Sequence, residues 1–395
     1  MGTSVVPGYF LAVLGVLLFF GLLLPRLLRP LHLPFATSVI LVGAAMGPHG
    51  LALVSPDDSL RLFGLLGGML YMLLAGTQAR TLGFGLGDRE TRLMVLPNAL
   101  IPAAMGVGLG RLFDYGWSAS LFLGTVFLTS STMLVFGIAE SEDLQDTGIG
   151  RLIMKVAVVE DLGASLLAFL VFQALDPHTR FPLPILGGLL LSSVVLLRMF
   201  LPEVVAFFFA RFEARGGDDH EARLRLVIAL FLLVIFAYSV IDVHPVIAAF
   251  LVGFALADVQ AAPMLRERIE TMGYGFFIPV FLFVVGLDTD FSVITRVRAD
   301  QGLALALLVG AIGGKLGSGW LGARWAGYRG LAAWVAGAAT TAKLAVPLTV
   351  TYAAHDLGVV DARLYSALIV VSVASSVAAP VLTSLMKASR LSVHA

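Results

Sequence analysis

Apolar residues run in long stretches along this chain, cut by short breaks that are charged or rich in Pro and Gly. A helix that crosses a bilayer needs roughly 20 mostly apolar residues. Thirteen stretches approach or meet that length, near 8–25, 34–54, 61–79, 93–110, 117–139, 149–175, 182–208, 224–242, 244–258, 271–288, 302–323, 330–354 and 363–386. The ninth is short and leans on its His244-Pro245 start. The first lacks a small-residue cleavage site and runs into Leu24, Pro25 and Arg26, so it reads as a retained helix rather than a signal peptide. The pattern predicts an all-α membrane protein of about 13 transmembrane helices.

Composition agrees. Of 395 residues, 58% are hydrophobic and 13% charged, and the mean hydropathy is +0.94, whereas soluble domains average about 25% charged. The 26 Lys and Arg balance the 26 Asp and Glu, which removes the basic surplus expected of a nucleic-acid partner. There is no cysteine, so disulfides, thiolate metal sites and cysteine nucleophiles are excluded, and the seven histidines form no HExxH-type pair. With the N-terminus outside, sixteen Lys and Arg fall in inner loops and six in outer loops. The positive-inside rule therefore predicts a cell-membrane protein with its N-terminus outside and its C-terminus cytoplasmic. The longest hydrophilic stretch, Arg211 to Arg225, is too short for a soluble domain.

Four basic residues remain inside spans: Lys155, Arg198, Lys315 and Lys343. Charge at bilayer depth is costly and usually marks an ion or proton path. The sixth stretch reads GRLIMKVAVVEDLGASLLAFLVF and places Glu160 and Asp161 side by side about 15 Å from its inner end. Helix neighbours point about 100° apart, so only one of them aims squarely at a given site; the bland reading of the pair is a buried salt bridge. Lys315, among the small residues of AIGGKLGSGWLGA, is the natural counter-charge for Asp161, with snorkelling as the alternative. Lys155, one turn beyond Arg151, is better read as snorkelling or as lining a cytoplasmic vestibule.

Hydroxyls cluster at Thr129, Ser130, Ser131 and Thr132 in LTSSTMLV, and at Thr340 and Thr341 in ATTAKLAV. Such runs hydrogen-bond backbone freed by local unwinding, and freed carbonyls can coordinate a cation. Each lies in the middle member of a three-span group, stretches four to six and eleven to thirteen, and the two groups insert with opposite topology. That suggests an inverted-repeat transporter with broken helices crossing near the midplane, although Ser/Thr helix packing explains the hydroxyl similarity nearly as well.

Several motifs fall in order along nearly the whole chain. They are HLPFATSVILVGAAMGPHGLAL, with Gly43 and a turn at Gly47, Pro48, His49 and Gly50, TSSTMLVFGIAESEDL, HPVIAAFLVGFALAD, and GFFIPVFLFVVGLDTD with Phe276, Phe277, Pro279 and Phe281. In these the chain resembles the monovalent cation/proton antiporter superfamily, in particular its second branch, the Kef-type potassium efflux systems and Nap-type sodium/proton exchangers. The resemblance implies a homodimer in which a dimerisation domain flanks a mobile core, the core being built from inverted-repeat halves at roughly 93–175 and 302–386. It matches Asp161 to the family's ion-binding carboxylate, Glu160 to the variable residue before it, and Lys315 to the basic residue that pairs with it. Departures are Glu160 itself, Gln78 where many relatives have an acid, and TTAKLAVP where an Arg-Gly-Glu signature is frequent, leaving Lys343 as the nearby charge. The chain ends at Ala395 with no cytoplasmic nucleotide-binding domain expected.

The expected activity is exchange of Na⁺ or K⁺ for H⁺ by alternating access, with no cofactor and no enzymatic step. Asp161, with Glu160 as a possible second ligand, binds the cation, and Thr129, Ser130, Thr132, Thr340 and Thr341 supply oxygens; Lys343 and Lys155 are possible additional charges. A buried carboxylate suits this because desolvation favours its protonated form and a bound cation its ionised form. The 100° offset leaves open whether Glu160 shares the cavity with Asp161, and the resemblance, in which relatives with two acids are electrogenic, tilts the expectation modestly toward two protons per cation. The alternatives are a gated potassium pore without obligatory proton coupling, an ion sensor, and a membrane enzyme using Glu160 and Asp161 as acid and base.

Overall fold

The computed structural model describes residues 7–27, 34–78, 88–175, 182–213, 220–257, 262–294 and 298–391. Among them the regular structure is helical throughout. The chain begins with α1 (Pro7–Leu27), α2 (Phe35–Met46), α3 (Asp58–Thr77), α4 (Arg89–Leu112), α5 (Trp117–Leu128), α6 (Thr132–Ser141), α7 (Gly148–Leu175) and α8 (Leu183–Glu213). It continues with α9 (His220–Ser239), α10 (Pro245–Leu256), α11 (Ala262–Met272), α12 (Ile278–Leu287), α13 (Arg298–Trp325), α14 (Leu331–Thr340), α15 (Ala345–Asp356) and α16 (Ala362–Leu391). Among the described residues ten helical units are long and apolar enough to span a membrane and three more are apolar but shorter, which matches the thirteen stretches one for one. This is a multi-span membrane protein. The loop cations Arg29, Arg80, Arg180, Arg215 and Arg296 lie outside the described residues.

Four stretches are not single regular helices over their expected length. The second ends at Met46 rather than near 54, since Pro48 lacks a backbone N–H and biases Gly47 away from helical geometry. The fifth and twelfth are each split in mid-span, between α5 and α6 and between α14 and α15. The tenth is α11 and α12 joined through a π-turn at Gly273–Phe277, where the Ile278 N–H reaches back five residues to the Gly273 carbonyl. Pro279 has no N–H to offer Gly275, and the wider turn accommodates the missing bond.

Two packed groups follow from small residues placed on facing helices. In the first, α2 lies on α12 and α3 on α10. A Cβ on Gly43 would come within 2.2 Å of the Phe283 carbonyl, and one on Gly286 within 2.2 Å of the Ile40 carbonyl. The α3/α10 seam is built the same way: a Cβ on Gly76 would meet the Phe250 carbonyl at 2.3 Å, and one on Gly253 the Leu73 carbonyl at 2.0 Å. These contacts close only on glycine, as in tightly associated membrane helices. In the second group α4 packs on α13 and α5, and α14 packs on α13 and α16. The apolar faces of α1, α8 and α9 are turned outward, with Phe19, Phe200, Phe207 and Phe236 each more than half exposed, as lipid-facing surface requires.

Candidate ion-binding site

The α5/α6 break has a local cause. Thr129 and Ser131 take extended or near-extended backbone angles, and hydroxyl side chains at this point offer backbone groups partners that a helix ladder would otherwise supply. Ser130 Oγ donates to the Thr340 carbonyl at 2.8 Å, the Ser131 N–H to the Ala342 carbonyl at 2.7 Å, and the Ala345 N–H to Ser131 Oγ at 3.4 Å. The two unwound segments are thus stitched across each other, and every residue from Thr129 to Thr132 and from Thr340 to Ala345 is buried.

Breaking a helix in low dielectric exposes a negative carbonyl end and a positive N–H end. Both are answered by side chains. Lys343 Nζ, fully buried, donates to the carbonyls of Val126, Phe127 and Thr129 at 3.1, 2.9 and 2.7 Å, capping the C-terminus of α5. At the N-terminus of α6, the Thr132 N–H and Oγ1 donate to Asp161 Oδ2 at 2.8 and 2.7 Å. The other oxygen, Asp161 Oδ1, is buried and has no hydrogen-bond partner in the protein.

Glu160 faces elsewhere. Lys315 Nζ pairs with its Oε2 at 2.6 Å, and Asn98 Nδ2 donates to its Oε1 at 2.8 Å. Asn98 is held in turn by Ser318 Oγ, which donates to Asn98 Oδ1 at 3.0 Å. The expected pairing of Lys315 with Asp161 is therefore corrected: the 100° step along α7 turns Glu160 toward α4 and α13 and leaves Asp161 facing the breaks. Asn98 is an addition; its signal was a lone amide between Pro97 and Pro102 in an otherwise apolar run of α4.

The hydroxyls separate into two kinds. Thr132 is on the carboxylate and Ser130 ties the breaks together, but Thr129, Thr340 and Thr341 donate to carbonyls of their own helices, Val126, Ala336 with Gly337, and Ala338. The freed carbonyls at the end of α5, expected to coordinate a cation, are taken by Lys343, because an ammonium one helix away satisfies the same lone pairs permanently. Lys155 stays apart from the site; it pairs with Asp88 at the start of α4. Among the described residues no group of three or more His, Asp and Glu side chains is placed to hold a metal ion.

Two broken helices crossing in mid-span, beside a half-satisfied carboxylate, are the arrangement typical of secondary membrane transporters. The chain belongs to the family described as sodium/hydrogen exchanger, transmembrane, which it matches over residues 15–387. It is similar to the probable Na(+)/H(+) antiporter 3 of Methanocaldococcus jannaschii, 25% identical over 91% of this chain and 92% of that protein. It is also similar to the Na(+)/H(+) antiporter of Enterococcus hirae, 24% identical over 94% and 97%. Among solved structures it resembles the sodium proton antiporter MjNhaP1 of M. jannaschii, with a TM-score of 0.71, 14% identity and coverage of 95% of this chain and 97% of that one. At that identity the likeness speaks for the fold, the antiporter fold expected from the sequence.

Proposed function

We propose that the protein exchanges a monovalent cation, Na⁺ or K⁺, for H⁺ across the cell membrane, with Asp161 as the single carrier. The observation that carries this reading is the asymmetry of the Asp161 carboxylate. One oxygen is fixed by Thr132 and the other is buried without a partner, so it is ready to take either a proton or a hard cation. Thr132 Oγ1 retains a lone pair and stands beside the carboxylate as a second cation ligand. Lys343 holds the α5 end and adds positive potential without leaving its carbonyls.

Glu160 is a positioning group in this reading. Both of its oxygens are engaged, and separating a buried pair costs about 3–5 kcal/mol. That supports exchange of one proton for one cation; two protons per cation require Lys315 to leave Glu160 during the cycle. The carrier moves with the broken-helix group against the glycine-seamed group, the N-terminus is placed outside by the arginine distribution, and two copies assemble through the outward apolar faces. The test is proton flux in proteoliposomes on addition of Na⁺, K⁺ or Li⁺, with membrane potential clamped. Asp161→Asn folds normally and loses cation-dependent flux to background. Flux retained in that variant would reject Asp161 as carrier, and an exchange equilibrium that moves with voltage would reject the one-for-one cycle. Cation flux without proton counterflow would instead favour a pore.

A further inference from the structure

A polar cavity of about 520 Å³ lies away from the ion site, between the first turn of α4 and the first two turns of α7, with Tyr328 of the turn after α13 closing its third side. Its walls come from α4, α7 and the turn after α13, and none comes from the glycine-seamed group. The arginine distribution puts it at the cytoplasmic end.

Its walls are unusual in what they leave unused. Helices α4 and α7, of 24 and 28 residues, both begin at this space; the α7 end is capped by Thr147 Oγ1, which accepts from the Gly150 N–H at 3.0 Å, whereas the α4 end is open, and an open end favours anions through dipole and free N–H groups together. The N-cap of α4, Asp88, makes no capping bond, because its carboxylate is turned to Lys155. Inside, Thr91 is 1% exposed and lines the cavity, yet its Oγ1 has no hydrogen-bond partner in the protein. A buried hydroxyl left so costs about 1–3 kcal/mol, which a molecule bound in the cavity relieves.

The charges point the same way. Arg89 and Arg151 stand exposed at the rim, and Arg151 gives one N–H to the Asp146 carbonyl at 2.8 Å, leaving the rest of its fork available. Of the two acids, Asp88 is paired with Lys155 and Glu90 accepts from Tyr328 at 3.4 Å. The size suits a small organic anion rather than a simple ion alone.

We propose that this cavity binds a phosphate-bearing anion, held by Arg89, Arg151, the Thr91 hydroxyl and the α4 N-terminus. The phosphate comes either from a soluble molecule or from a lipid headgroup. A ligand here braces α4 against α7, the helices joined further along by the Asn98–Glu160 bond, and so ties occupancy of the cavity to the ion site.

The experiment is thermal unfolding of the purified full chain in a phosphate-free uncharged detergent, titrated with inorganic pyrophosphate against sodium sulfate of equal ionic strength. A second arm uses nanodiscs of phosphatidylcholine with or without phosphatidic acid. Saturable stabilisation by pyrophosphate identifies a soluble source, and stabilisation by phosphatidic acid alone a headgroup; either supports the site. Arg89→Gln and Arg151→Gln, both on the exposed rim, should each weaken the response about tenfold, and Thr91→Val by several-fold. No saturable response in either arm, or variants that respond like the wild type, would overturn it. Because the readout is binding, it stands or falls apart from the exchange assay.

Discussion

Adjacent carboxylates on one helix here have opposite fates, and the difference lies in what each oxygen touches. Glu160 has an ammonium on one oxygen and an amide on the other, whereas Asp161 keeps one oxygen free in a fully buried setting. The same distinction sorts the hydroxyls, since only Thr132 among them reaches the carboxylate. Thr132→Val keeps the shape of the side chain and removes its oxygen. The apparent Na⁺ affinity of exchange should fall about five- to tenfold, the equivalent of about 1–1.4 kcal/mol, with maximal rate less affected. The matching change at Thr341, whose hydroxyl is spent on the Ala338 carbonyl, should leave affinity near wild type. Equal losses in the two variants would place the cation elsewhere.

Among the elements, the half-helices depend on Lys343. Replacing it by Met keeps the volume but strips a charged donor from three buried carbonyls; Val126 keeps its bond from Thr129 Oγ1, and the Phe127 and Thr129 carbonyls lose theirs, at about 1–3 kcal/mol for each group left unsatisfied. Thermal unfolding in detergent should therefore drop by many degrees, and an unchanged transition would mean that α5 is capped by other means. Gly286→Ala belongs to the same scale: its Cβ has only backbone to displace, so overpacking of about 1–3 kcal/mol or more is expected. At this scale the sequence is readable where composition alone decides. Thirteen apolar stretches became thirteen helical units, because lipid admits few other solutions. Glu160 and Asp161 stood out as acids in mid-span, yet their partners could not be assigned from spacing. Which side chain Lys315 meets depends on the rotation of α7 against α13, a tertiary property. Likewise Lys343 was visible as a charge, but its role required knowing that the α5 carbonyls end beneath it. Asn98 carried little signal, since an amide in an apolar run is common and only its bond to Glu160 gives it meaning.

For the molecule as a whole, reciprocal glycine seams close one group tightly. In the proposed cycle the other group is the one that moves, and a contact between the two would then break at each turnover. Tyr274, on the π-turn, donates its hydroxyl to Met133 Sδ at 3.6 Å, immediately after Thr132 in sequence. The chain has no native cysteine, so Met133→Cys with Tyr274→Cys can be joined by a short thiol-reactive linker without background labelling. Joined protein should stop exchanging and recover on cleavage of a reducible linker; continued exchange would show that these parts travel together. The stitched breaks also have an isotopic consequence. Non-helical backbone usually trades its amide hydrogens with solvent quickly, but residues 129–131 and 341–344 are buried, the Ser131 amide is bonded across the crossing to the Ala342 carbonyl, and the Thr132 amide is bonded to Asp161. Deuterium should therefore enter these segments as slowly as it enters the helices on either side, so that the two least regular stretches of the interior are among the last to be labelled. Rapid labelling there would mean instead that the breaks zip and unzip as the ion passes.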